Sequence, residues 1–170
     1  QEKRMAVLPI VQFPDPVLKK AARPVKTVTD EIRALIRDMT DTMYDAPGIG
    51  LAAPQVAVSL RVIVVDVEWR DKDRHPRAYI NPEIVDASGN IRFEEGCLAV
   101  PDYGAEVERA SRVVVRALDE DGKQVEVEAE GLHAVCFQHE VDHLNGMLFI
   151  DRVVGGGDLP VLHAQQLLGG

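Results

Sequence analysis

Apolar positions along the chain follow two registers, the 3.6-residue period of a helix and the two-residue alternation of a strand. Ile32, Leu35, Ile36, Met39 and Met43 recur at helical spacing, with Arg33, Arg37, Asp38 and Asp41 turned to water. Thr29 is a suitable N-cap, Asp30 and Glu31 favour the helix dipole, and Pro47-Gly48 supplies a stop. The pattern predicts a first helix starting near Thr29 whose stripe is core. From Leu60 the pattern becomes strand-like. Arg61 to Val67 reads as a central strand, and Ala78 to Ile84 and Ile91 to Glu94 as a hairpin about Ser88-Gly89-Asn90. Arg112 to Leu118 and Gln124 to Ala129 form a second expected hairpin, flanking Asp119-Glu120-Asp121-Gly122. There Val125, Val127 and Ala129 alternate with Glu126, Glu128 and Glu130, giving one buried and one wet face.

A second helix is expected from about Leu132 to Leu144, ended by Asn145-Gly146. Met147 to Ile150 reads as a short strand, and Gly155-Gly156-Gly157 as a flexible link before a final short helix from Asp158. Ahead of all this, Val7 to Val25 is punctuated by Pro9, Pro14, Pro16 and Pro24 and should lie extended over the body. Strand runs between separated helices argue for an α+β fold. Its antiparallel strands would pack around the second helix, with an N-terminal helix and a short C-terminal segment.

Composition narrows the function classes. At 170 residues, 46% apolar, the chain is long enough for a hydrophobic core without staples. With 28 acidic against 19 basic residues it carries a formal charge of -9, which argues against holding nucleic acid by its own surface. No apolar run reaches the ~18 residues of a membrane span. The two cysteines, Cys97 and Cys136, do not make a disulfide scaffold.

The second helix carries His139-Glu140-Val141-Asp142-His143, an H-E-x-x-H pattern. Histidines four apart share a helix face, ~6 Å apart along the axis, so both can bind one metal ion. The glutamate between them then sits beside the water such an ion activates. The bland alternative is two histidines on an amphipathic helix. A third ligand is usual at a catalytic ion. Cys136 shares the face but lies seven residues, ~10 Å, from His143, too far for so short a side chain. It reads better as a small buried residue beside the site. Cys97, within Glu94-Glu95-Gly96-Cys97-Leu98, can approach from a separate segment. Two imidazoles and a thiolate suit zinc, iron(II), cobalt or nickel.

Gly48-Ile49-Gly50-Leu51-Ala52-Ala53-Pro54-Gln55 is a small-residue stretch in which backbone can approach a ligand. It is not a phosphate loop, because no Lys-Ser/Thr follows. By itself it could be a tight helix-to-strand connection. Gln55 is its one polar side chain and a candidate donor to a substrate oxygen.

In order and spacing, GIGLAAPQ (48–55), EGCLAVP (95–101) and QHEVDHLNG (138–146) resemble the three motifs of the peptide deformylases. The resemblance spans roughly Val7 to Asp151. It implies one catalytic domain over 1–170, with 1–4 a tag or processed remnant and 155–170 a flexible tail or short helix. It also implies hydrolytic removal of the N-formyl group from formyl-methionyl nascent polypeptides, releasing formate. The implied metal ligands are Cys97, His139 and His143. The implied ion is iron(II) natively, with zinc, nickel or cobalt possible after purification. In the implied mechanism a metal-bound hydroxide attacks the formyl carbon, Glu140 is general base and then acid, and the Leu98 N–H and Gln55 amide hold the oxyanion. The methionine side chain would enter a pocket near Ile49, Glu95, Leu132, Val135 and Cys136, while backbone at Ile49 and Gly50 pairs with the peptide.

The chain departs from the family pattern at Ala99, which replaces a small hydroxyl, and at Gly104, where some members carry an arginine near the downstream end of the peptide. His133 replaces a more usual apolar residue and is expected to be exposed, outside the site. Two rivals share parts of this reading: a small H-E-x-x-H metallopeptidase cleaving internal bonds, and an inactive binding module on the same fold. Expected partners are formylated nascent peptides, with transient ribosome docking that no basic tail encodes; nucleic acid and membrane are not expected. The bacterial cytoplasm is the expected location, with an organelle after transit-peptide removal left open.

Overall fold

The computed structural model describes residues 6–97 and 99–152. Expectations for 1–4, for Leu98 and for 155–170, including the helix from Asp158, lie outside those residues. Among the described residues, two helices and seven strands follow in the order α1 (Asp30–Asp45), β1 (Gly50–Ala52), β2 (Val62–Val65), β3 (Arg77–Ser88), β4 (Ile91–Cys97), β5 (Val100–Arg109), β6 (Arg112–Leu118), β7 (Gln124–Glu130) and α2 (Gly131–Leu144). The class is α+β with antiparallel pairing throughout both sheets.

Helix α1 begins where its cap lies: Thr29 Oγ1 accepts from the Ile32 N–H at 3.3 Å. Of the predicted stripe it buries Ile32, Ile36, Met39 and Met43 against Leu51, Val62, Val64 and Ile80 of the sheet, with Leu35 only partly buried. Helix α2 is different, for Ala134 to Leu144 is buried at every position except Gln138. A helix wrapped on all sides must satisfy its polar groups internally. Gln138 does so by exchanging two hydrogen bonds with the Ala110 backbone. The opposite face of the sheet packs on α2 through Ile63, Val65, Tyr79, Val113 and Phe137. Gly146 ends the helix at φ 76°, where a Cβ would stand 2.6 Å from the Lys19 carbonyl oxygen.

The strands form a five-stranded sheet in the order β1-β2-β3-β6-β7 and a separate pair, β4-β5. The expected hairpin about Ser88-Gly89-Asn90 is therefore corrected. The chain does turn there, but β3 pairs with β2 and β6 while β4 pairs with β5. Turn chemistry fixes a local reversal and leaves the partner of each strand to packing. The β6-β7 hairpin pairs in register from Arg112↔Glu130 to Leu118↔Gln124. Met147 to Ile150 is not a strand, for a 3-10 turn occupies Phe149–Arg152. The N-terminal segment, expected to be extended, is interrupted by a turn at Phe13–Pro14, closed by the Asp15 N–H on the Gln12 carbonyl, and by a 3-10 turn at Pro16–Lys19, whose cap is the Asp15 side chain.

Candidate active site

Two elements meet at the H-E-x-x-H motif. From α2 come His139 and His143, with Nε2 atoms 3.2 Å apart. From the end of β4 comes Cys97, placed by a register shift after Gly96 that moves its β5 partner from the Gly104 ladder to Val100 and re-aims the chain. Its Sγ lies 3.4 Å from His143 Nε2. The three ligand-type atoms all fall within 4.8 Å of one another, and all three residues are buried. Cys136 is not among them. Its Sγ sits 3.7 Å from the Ile49 carbonyl oxygen, and burial pushes its thiol well above the ordinary range, reinforced by Glu140 and Glu95.

Does this cluster suit a cation? Burial alone disfavours charge on His139, but hydrogen bonds to Cys97 and Glu95 and the negative charge of Cys97 and Glu140 outweigh that, so the surroundings of this ring favour a cation beside it. His143 is pushed the other way by burial and by the His139 and Arg109 charges, which keeps its ring neutral with a lone pair to give. Two nitrogens and a sulfur pointed at one another inside a buried site are poorly matched partners for each other and well matched ligands for one divalent ion.

Charged neighbours hold these side chains in place. Glu95 Oε1 accepts from His139 Nδ1 at 2.9 Å, and its carboxylate grips Arg109 at two points, 2.7 and 3.0 Å. Burial raises the Glu95 carboxyl, yet the His139 and Arg109 hydrogen bonds and charges hold it down at about 2. Arg109 continues to Asp142 on α2 at 2.8 Å, and Asp142 also accepts two hydrogen bonds from Arg152. Sequence reading missed Arg109: it lies on a strand of alternating charge, and nothing local marks it as buried.

Glu140 faces the cluster with Oε1 buried and unpartnered. Burial lifts its carboxyl to about 7, with the His139 and Arg109 charges opposing and Glu95 and Asp142 reinforcing the rise. A carboxyl tuned close to neutrality can both take and return a proton. Gln55 closes another side, its Oε1 fixed by the Ala52 N–H at 2.9 Å and its Nε2 directed at Cys97 Sγ at 3.7 Å. Gly50 lies so near that a Cβ there would stand 2.7 Å from both Cys136 Sγ and Glu140 Oε2. The glycine is required by this approach. The Leu98 N–H, expected as a second oxyanion donor, lies outside the described residues.

Beside Glu140 and His139 opens a cavity of about 60 Å³ walled by Ile49, Leu132, Val135 and Cys136, with Glu95 at its edge. Phe93, which sequence reading missed, completes the apolar lining. At ~10–15 Å³ per water-sized occupant, the volume suits about four or five heavy atoms. His133 is only half-buried but is not the freely exposed side chain expected, since its ring stacks on Phe137 at 4.8 Å and faces away from this cavity.

With that geometry described, comparison with known proteins adds the following. A family model described as "Polypeptide deformylase" matches residues 7–157. The chain is 55% identical over 152 residues to the peptide deformylase of Hydrogenovibrio crunogenus, covering 89% of this chain and 88% of that one. Among solved structures it resembles a peptide deformylase from Legionella pneumophila, with TM-score 0.83, 49% identity and 87% and 86% of the two chains covered. It also resembles a peptide deformylase from Synechococcus elongatus in complex with actinonin, with TM-score 0.84, 44% identity and coverage of 90% and 84%.

Proposed function

Because the chain belongs to the polypeptide deformylase family, we propose that Cys97, His139 and His143 hold its divalent metal ion and that Glu140 carries the reaction's proton. The activity is hydrolysis of the N-formyl amide of formyl-methionyl nascent peptides, giving formate and a free amino terminus. These relatives favour that activity over cleavage of internal peptide bonds and over a binding module without catalysis.

When bound, the divalent ion supplies Lewis acidity toward water and the formyl carbonyl. The remaining work falls to the protein. Glu140 accepts a proton from the attacking water and returns it to the departing amine, the two-way role that its raised carboxyl supports. The Gln55 amide, held by the Ala52 N–H, and the Leu98 backbone N–H donate to the developing oxyanion. Glu95, anchored by Arg109, keeps the His139 Nδ1 proton in place and so leaves Nε2 free as the ligand atom. The apolar cavity receives the unbranched methionine side chain, where shape discriminates by ~1–3 kcal/mol per methylene. Strand β1 is the end of its sheet, and its unpaired edge at Gly50, with Ile49 before it, takes the peptide backbone in strand-like pairing.

The native ion proposed is iron(II), and zinc, nickel or cobalt fit the same ligands. The proposed place of action is the bacterial cytoplasm, in transient contact with ribosomes. Residues 151–170 carry one arginine against two aspartates, so that contact does not rest on a basic tail.

The observation that carries the reading is the unpartnered Glu140 Oε1, set between a three-ligand cluster and an apolar cavity. The test is release of formate from formyl-Met-Ala-Ser by the metal-loaded protein, with the unformylated peptide left uncut. Glu140→Ala should retain metal and lose on the order of 10²–10⁴ in rate. Internal cleavage without formate, or an undiminished rate in Glu140→Ala, would overturn it.

A further inference from the structure

Three consecutive carbonyls of the segment leading into β1 are held from one side by one loop. The Asp66 N–H donates to the Ile49 oxygen at 2.9 Å, Trp69 Nε1 to Gly48 at 2.8 Å and Arg70 Nη2 to Pro47 at 2.8 Å. Trp69 is half-buried and lies outside the hydrophobic clusters of the core, so its indole is not there to fill volume. Its ring is instead fixed edge-on against Tyr44 of α1, with centroids 5.1 Å apart. The Arg74 guanidinium covers both rings, 4.2 Å from Tyr44 and 5.1 Å from Trp69. Tyr44 in turn donates from its hydroxyl to Asp66 Oδ2 at 2.5 Å, and the His75 N–H donates to the same oxygen at 2.9 Å. The bonds thus close a ring from α1 through the 66–75 loop to residues 47–49.

We propose that Trp69 is a positioning residue for substrate: through the Gly48 carbonyl, and with Arg70 on Pro47, it sets the backbone edge at Ile49–Gly50 against which the peptide downstream of the formyl-methionine pairs. This rests on the deformylase reading above. Loop carbonyls with no fixed partner wander by fractions of an ångström, and backbone pairing with a ligand strand is sensitive to such shifts. Trp69 touches neither the ligand cluster nor the methionine cavity. Its loss therefore acts on the docking of the peptide backbone and spares the chemical step.

The test compares formyl-Met-Ala-Ser with formyl-methionine, which shares the side-chain pocket and lacks the downstream backbone, on the metal-loaded full chain. Trp69→Phe keeps a ring against Tyr44 and removes the donor. It should raise KM for formyl-Met-Ala-Ser about five-fold, the weight of one hydrogen bond, with kcat within two-fold and KM for formyl-methionine unchanged. Arg70→Ala should act in the same direction and serves if the tryptophan variant does not fold. The native protein gives an independent readout, because Trp69 is its one tryptophan. Titration with the product peptide Met-Ala-Ser should change its emission saturably, and methionine alone should not. A variant whose melting temperature falls while both KM values stay native would reduce Trp69 to a structural part and overturn the proposal. So would an equal KM change for the two substrates. No formate from either substrate with the native chain would instead bring down the deformylase reading.

Discussion

Glu95 and His139 meet through a 2.9 Å hydrogen bond from the ring Nδ1 to a carboxylate that is itself held at two points by Arg109. An ionised carboxylate only accepts, so the bond requires the proton on Nδ1 and leaves Nε2 free toward Cys97 and His143. The tautomer of one proposed ligand is thus set by an arginine on β5, the strand paired with the one that carries Glu95.

Arg109→Met should show this dependence. Removing one partner leaves the buried Glu95 and Asp142 carboxylates short of a counter-charge, which costs roughly 3–5 kcal/mol. Metal affinity should fall about 10–100-fold as His139 loses its fixed orientation. Urea midpoints and competition with a chelator measure the two effects separately. Native metal affinity in a folded variant would refute the link.

Gly50→Ala tests how closely the substrate edge approaches the chemistry. The added methyl would stand 2.7 Å from Glu140 Oε2 and from Cys136 Sγ, so one of them must move. A displacement of this size at a reacting group costs on the order of 10² in rate. We expect kcat/KM to collapse with metal content unchanged, read by steady-state kinetics beside metal analysis.

The two cysteines should separate cleanly. Cys97→Ala removes one of the three proposed ligands and should abolish tight metal binding. Cys136→Ala should keep the metal, because that thiol is directed at the Ile49 carbonyl and held protonated by burial. If only the Cys136 variant loses metal, the ligand assignment is wrong.

His133 gives a pH signature away from the metal. Burial lowers its pKa below the ordinary 6.5, with Glu68 opposing. In that case the unfolded chain binds the proton more readily than the folded one, and stability falls as pH drops below about 6.5. Its contribution is fully present above that value. His133→Phe, which keeps the stack on Phe137, should flatten the fall in melting temperature between pH 7.5 and 5 relative to the native chain. Parallel curves would show that His133 does not titrate with folding.

Much of this was legible in the sequence because local spacing carried it. The stripe of α1, its Thr29 cap, the β6-β7 hairpin and the end of α2 at Gly146 each follow from residues within a few positions of one another. What escaped depends on distant partners. Strand β1 is three small or apolar residues with no alternation to betray it, and it is a strand because β2 lies beside it. Strand β5 passes through Pro101 and Gly104, both poor strand residues, and is held by β4. Met147 to Ile150 is too short for its period to be read. Arg109 and Trp69 look like ordinary surface residues until two carboxylates and a carbonyl arrive from elsewhere in the chain.

The two ends of the five-stranded sheet differ in a way that bears on how the protein behaves when crowded. At β7 the outer strand alternates glutamates, two of them tied to Arg112 and Arg116 across the hairpin, and such a charged margin resists docking by a stray strand. At β1 the margin is Gly50-Leu51-Ala52, uncharged but buried, with the Ala52 N–H already held by Gln55 Oε1, so that Gly50 is what remains of an edge of the kind that recruits other chains into aggregates. Its safeguard is brevity: three residues are enough for the proposed foothold of a peptide substrate and give a second copy of the protein too little to hold. Lengthening that margin by even one apolar pair would trade turnover of short peptides for self-association.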